Sequence, residues 1–202
     1  MNKIILTLAT VMTMSFAACA QNKGEKIVET DSKTLVVYFS ATGTTEKAAQ
    51  SIADITGGTL YEIVPQQAYT ADDLDWNDSQ SRSSVEMSNP QARPALKDTK
   101  LYVSPYNVIF IGYPIWWNQA PRIINTFIES HDLKGKMLVP FATSGGSGIT
   151  GSVKELRNTY PELKWHDGKL LNGENRDNIQ NWVSDLMEKT VNKITWIWKS
   201  DA

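Results

Sequence analysis

The sequence predicts a doubly wound α/β fold, with five parallel strands in the order 2-1-3-4-5 and helices on both faces. Three observations predict it. Short β-branched and aromatic runs alternate with segments whose apolar residues recur at helical spacing. The first, third and fourth runs each open into a loop rich in hydroxyls, tryptophan or glycine. The chain has 202 residues, 41% hydrophobic and 21% charged, which suits one globular domain.

Residues 1–20 stand apart from that rhythm. Lys3 precedes an apolar run from Ile4 to Ala18, broken only by Thr7, Thr10, Thr13 and Ser15. This is a secretory signal pattern, too short for a membrane span and left out of the fold. Phe16-Ala-Ala-Cys19 resembles a bacterial lipobox, in which the cysteine becomes lipidated, although such boxes usually begin with Leu. Ala18-Cys-Ala20 also fits an ordinary cleavage site. Either cut implies export to the periplasm or cell envelope, with a membrane anchor if Cys19 is modified. Residues 21–33 are polar and mixed in charge, and read as a linker.

Residues 34–39, Thr-Leu-Val-Val-Tyr-Phe, form the first strand. A helix follows over 45–57, with Ala48, Ala49, Ile52, Ala53 and Ile55 on its apolar face and Gly57-Gly58 as its stop. Residues 59–64 and 107–112 are the second and third strands, closed by Pro65 and Pro114. Ile123, Ile124, Phe127 and Ile128 mark a helix, and residues 136–142 are the fourth strand. Pro140 inside that strand points to a bulge. A helix over 151–160, a short fifth strand within 165–171 and a last helix carrying Ile179, Trp182, Val183, Leu186 and Met187 complete the pattern. The domain spans 34–192. Residues 193–202, with Trp196 and Trp198, read as a tail packed on it or touching a membrane surface. Residues 66–106 interrupt the rhythm and read as a surface excursion with one or two short helices.

Composition excludes several classes. Twenty basic residues against 22 acidic ones leave no basic surplus for nucleic acid. One cysteine excludes an intramolecular disulfide and a cysteine zinc cluster. His131 and His166 are the two histidines; both read as structural, the first at the surface. No acid–base pair is evident. Asp72, Asp73 and Asp75 read as a solvated helix start. Arg93, between Pro90 and Pro94, is either a surface charge or directed at a ligand.

Ligands of such sheets bind beyond the carboxyl ends of the strands. After the first strand, Ser40-Ala-Thr-Gly-Thr-Thr45 opens a helix with four hydroxyls and a glycine. Free N–H groups and the helix dipole favour an anion there, and Gly43 permits a tight turn. The loop is not a Walker motif. After the third strand, Tyr113-Pro-Ile-Trp-Trp-Asn118 offers adjacent indoles that suit stacking on a flat ligand. After the fourth, Thr143-Ser-Gly-Gly-Ser-Gly148 permits close backbone approach, and it lacks the G-x-S-x-G hydrolase elbow. Each loop also has a purely structural reading. Together they suit a phosphorylated flat heterocycle.

In this order the three loops resemble those of the flavodoxin family, over residues 34–189. The resemblance implies flavin mononucleotide (FMN) as cofactor. It places Ser40, Thr42, Gly43, Thr44 and Thr45 on the phosphate. Tyr113, Pro114, Ile115 and Trp116 would line the isoalloxazine, with Trp116 stacked on it. Thr143, Ser144, Gly145 and Gly146 would border its other side. The family flips a peptide against the flavin, here the one between Trp117 and Asn118, and Asn tolerates the positive φ this needs. The third loop has no aromatic residue, which leaves one flavin face open to a substrate or partner. The implied function is electron transfer between a reductant and an acceptor, either a partner protein or a small molecule. The alternatives are an NAD(P)H- or quinone-dependent oxidoreductase and an exported binding module without flavin.

Overall fold

The computed structural model describes residues 33–200, with side chains placed through Lys189. The export segment, Cys19 and all of the linker except Lys33 lie outside the described residues.

The sheet contains β1 (Thr34–Tyr38), β2 (Thr59–Glu62), β3 (Val108–Pro114), β4 (Met137–Thr143), β5 (Lys164–Trp165) and β6 (Lys169–Leu170). Its order is β2-β1-β3-β4-β5, with β6 also on β4, and every pairing is parallel. The helices are α1 (Thr44–Thr56), α2 (Arg82–Ser88), α3 (Arg122–Glu129), α4 (Thr150–Thr159) and α5 (Arg176–Ser200). No described helix is long and apolar enough to cross a membrane. Helix α5 carries helical backbone through most of the stretch read from sequence as a tail.

Strand alternation sorts the core. Val36, Phe110, Val139 and Phe141 pack with Ala49 and Ile52 of α1 and with Ile179 and Val183 of α5. Leu35, Val37, Ile109 and Ile111 pack on the opposite face with Ile124 and Phe127 of α3 and Leu156 of α4. Coverage on both faces is why β1 is a continuous apolar run with all five residues buried. Each such large side chain contributes about 2 kcal/mol. Gly112 is required in β3, because a Cβ there would lie 2.2 Å from Phe141 Cζ.

The fifth strand differs from expectation, and Pro140 explains why. It marks no bulge: Pro140 pairs in register with Ile111. On the other edge, His166 N–H donates to Leu138 O and Leu171 N–H to Ala142 O. Pro140 lies midway between and turns its proton-less nitrogen to that edge. The partner chain therefore leaves the ladder at residues 166–168 and rejoins it, giving β5 and β6. Gly168 sits against the same position, where a Cβ would fall 2.9 Å from Pro140 O.

The excursion is tied at its base. Gln66 N–H donates to Ala95 O, and Lys97 N–H donates to Val64 O. The intervening residues hold a 3-10 turn (Asp72–Leu74) and α2. Asp73 accepts from the Thr70 N–H and hydroxyl at 2.8 and 2.9 Å, which caps that turn and lowers its carboxyl pKa. Arg93 does not reach a ligand loop; it forms a two-point ion pair with Glu129 at the end of α3. His131, expected at the surface, is half-buried. Its ring lies 4.4 Å from that of Phe127, Nδ1 donates to Phe127 O, and Nε2 is buried without a partner. His166 is half-buried, with Nδ1 at the Asp167 carbonyl.

Candidate functional site

The site lies at the carboxyl ends of β1 and β3, where the chain order reverses. The first loop leaves β1 with Phe39 N–H bonded to Gly112 O. Ser40 Oγ is buried without a partner. Gly43 takes φ 82° and starts α1. That left-handed turn is cheap only for glycine. Thr42 and Thr44 are exposed, and the first N–H groups of α1 are open to an anion. Thr45 differs: it is 1% exposed, and its Oγ1 lies 2.8 Å from Thr143 Oγ1. That bond ties the first loop to the end of β4.

In the second loop, Trp116 N–H donates to Gln119 O and Gln119 N–H to Trp116 O, at 3.0 and 2.9 Å. The two residues between have φ 46° (Trp117) and 60° (Asn118), so this is a type I′ turn. Positive φ at Asn118 was expected. At Trp117 it was not, because large side chains rarely enter that region. Trp116 packs edge to face on Phe39 and Tyr69, with centroids 5.7 and 5.4 Å apart. Trp117 is left partly in solvent.

Several expected contact residues take other places in the structure. Tyr113 does not present its ring to a ligand. β3 runs through Pro114, and alternation turns Tyr113 into the core, fully buried, with its hydroxyl 3.1 Å from Ser152 Oγ of α4. Burial raises its pKa and keeps it neutral. Thr45 and Thr143 are engaged with each other. Ser144 has its peptide N–H and carbonyl both bonded to the Asn172 amide, and its Oγ accepts from the Gly146 and Ser147 N–H groups. Gly145 and Gly146 have open space around them. The third loop is thus braced by Asn172 and does not line the groove.

The wall comes instead from the excursion. A groove of ≈ 380 Å³ is lined by Ala41 and Thr42 of the first loop, by Pro114, Ile115, Trp116 and Trp117 of the second, and by Leu74, Trp76 and Ser83. Its size lies within the range of small-molecule sites. None of these side chains is ionisable. Tyr69 couples the wall to the second loop. The Arg82 guanidinium sits 3.9 Å over the Tyr69 ring and pairs with Glu86 at 2.7 Å, and the Tyr69 hydroxyl donates to Glu86. Burial and that carboxylate push the Tyr69 phenol pKa up, so it stays neutral. Sequence reasoning missed Tyr69, Trp76 and Asn172. Trp76 had one available clue, a tryptophan set alone among Asp and Asn.

The chain is similar in family and fold to known flavoproteins. The flavodoxin family model matches residues 33–186. A crystal structure of a provisionally assigned flavoprotein from Bacteroides uniformis is 55% identical, with TM-score 0.75, and covers 77% of this chain and 99% of its own. Another from Bacteroides eggerthii is 58% identical, with TM-score 0.74, and covers 76% and 96%. A flavoprotein of Lactobacillus acidophilus in complex with FMN shares the fold at 22% identity and TM-score 0.58, covering 69% and 93%. No curated protein matches the chain. With the match spanning the whole sheet, the chain belongs to the flavodoxin family, whose cofactor is FMN.

Proposed function

We propose that the chain holds FMN in the groove between the first two loops and carries electrons between a reductant and an acceptor. The observation that carries this reading is the unpartnered, buried Ser40 Oγ at the mouth of α1. A buried hydroxyl without a partner is costly, and a phosphate oxygen would satisfy it. Ser40, Thr42, Gly43 and Thr44 would hold the phosphate. Pro114, Ile115, Trp116 and Trp117 would flank the ring, and Trp76 adds an aromatic surface the sequence did not suggest. FMN supplies one- and two-electron redox chemistry, and the protein supplies binding and access. The groove has no titratable side chain to move a proton, which favours electron transfer over acid–base catalysis.

The test is the visible spectrum of residues 21–202 after incubation with FMN and removal of free ligand. A bound flavin spectrum at about one per chain, followed by reversible anaerobic reduction, is expected. A folded chain that retains no flavin overturns the reading. The sequence pattern at residues 1–20 and Cys19 supports the same work at the cell envelope. Metabolic labelling with a radioactive fatty acid, lost on Cys19→Ser, tests the anchor.

A further inference from the structure

A second groove, of ≈ 420 Å³, lies beside the first, and Trp76 and Trp117 line both. These indoles are 72% and 46% exposed. Two large apolar rings held in water would gain from a flat ligand laid against them. The rest of the lining is neutral and polar. Ser84 Oγ accepts from Ser81 Oγ at 2.9 Å and keeps its own proton to donate. Gln119 Oε1 accepts from Arg122 at 2.9 Å, which leaves Nε2 as a donor. Ser88 Oγ donates to Val85 O and keeps lone pairs to accept. No ionisable side chain lines this groove. Arg82, on the same helix, is engaged with Glu86, Gln67 O and the Tyr69 ring.

We infer that this second groove binds an uncharged planar ring carrying carbonyl or hydroxyl oxygens, of the quinone class. A charged ligand would lose water without meeting a counter-charge. The phosphates of a nicotinamide dinucleotide would find no cation. A ring of this class finds apolar surface in Trp76 and Trp117 and donors in Ser84 and Gln119, and Ser88 accepts from its hydroxyl form. The shared tryptophan wall puts such a ring next to the first groove. Its redox use rests on FMN occupying that groove; its binding does not.

The test is equilibrium dialysis of duroquinone, whose fully substituted ring resists thiol addition, against the FMN-loaded chain, with tryptophan emission followed in parallel. Saturable binding at about one per chain with quenched emission is expected. Ser84→Phe fills the groove from α2 and is expected to weaken binding about tenfold or more, with FMN retention unchanged. Ser88→Phe, on the exposed last turn of α2, serves the same purpose if Ser84→Phe does not fold. Absence of saturable binding, equal binding by a folded Phe variant, or displacement by NADH at similar concentration overturns the inference. A chain that releases FMN yet binds duroquinone in the variant-sensitive way sinks the carrier reading and keeps this one. FMN retained without duroquinone bound does the reverse.

Discussion

Arg122 Nη2 lies 2.9 Å from Gln119 Oε1 and 3.2 Å from Met87 O, so one buried guanidinium joins the tryptophan turn to the end of α2. Its Nη1 reaches Glu155 of α4 at 3.4 Å, and the side chain is 2% exposed. Gln119 closes the type I′ turn, and α2 forms one wall of the second groove. Arg122 is therefore a positioning residue for both. Arg122→Met is expected to destabilise the fold by about 3 kcal/mol, because Gln119 and Met87 lose a buried donor while Glu155 loses its partner. Urea denaturation checks this, and a loss under ~1 kcal/mol would show the bridge to be dispensable.

Ser40 separates binding from folding. Its Oγ has no protein partner, so Ser40→Ala removes an unsatisfied buried hydroxyl. The apoprotein is expected to keep or gain stability, by up to about 1 kcal/mol. FMN affinity is expected to fall about tenfold to a hundredfold, as for loss of one hydrogen bond to a charged group. Flavin fluorescence titration beside thermal denaturation reads both. A stability loss with unchanged affinity would place Ser40 in the scaffold alone.

The Thr45–Thr143 bond predicts non-additivity. Both hydroxyls are buried and meet at 2.8 Å. Thr45→Val or Thr143→Val alone strands the other hydroxyl and should cost about 1–2 kcal/mol. The double variant strands nothing, so its loss should fall below the sum of the singles by roughly 0.5–1.5 kcal/mol. A strictly additive cycle would mean the two groups act independently.

The sequence made the central sheet legible because β1, β3 and β4 are buried on both faces and so read as unbroken apolar runs. The first two loops were legible because their chemistry is local: Gly43 at a helix start, paired indoles after a strand. Tyr113, placed on the flavin by the family resemblance, is buried instead, because β3 continues through Pro114 and alternation turns it into the core. Trp76 left only the clue of a lone tryptophan among Asp and Asn, because its place depends on the ties of Gln66 to Ala95 and Lys97 to Val64, which no periodicity encodes. The split of β5 from β6 was likewise set by the edge that Pro140 faces, a matter of register rather than composition.

The turn at Trp117 and Asn118 sets opposite expectations for glycine and proline. Both residues hold positive φ. Trp117→Gly relieves the left-handed strain, and with glycine's added unfolded-state entropy the net change should stay within about 1 kcal/mol. Asn118→Pro fixes φ near about −65°, breaks the turn and should cost about 3 kcal/mol or more. In flavin-loaded protein it should also shift the flavin potentials, which spectroelectrochemistry would read. Unchanged potentials in a folded Asn118→Pro chain would sink a role for this peptide beside the flavin.

Glu129 carries a pH dependence whose sign follows from its partners. Arg93 donates to both of its oxygens, and the Tyr160 hydroxyl adds a third bond at 2.7 Å. The Arg93 hydrogen bonds, and then Tyr160, hold its carboxyl below the usual carboxylate range. A pKa lowered in the folded state means that the unfolded chain binds the proton first as pH falls. The stabilisation is therefore fully present above the ordinary carboxylate pKa of about 4.3 and disappears as pH falls through the lowered folded value. The Glu129 side chain is 41% exposed, so solvent screens the pair and the effect is modest. Glu129→Gln should lose stability at neutral pH and show a smaller further loss on acidification than the parent. Urea midpoints at neutral and acidic pH check it: parallel pH profiles for the two proteins would show that the Arg93 contact contributes nothing to acid sensitivity.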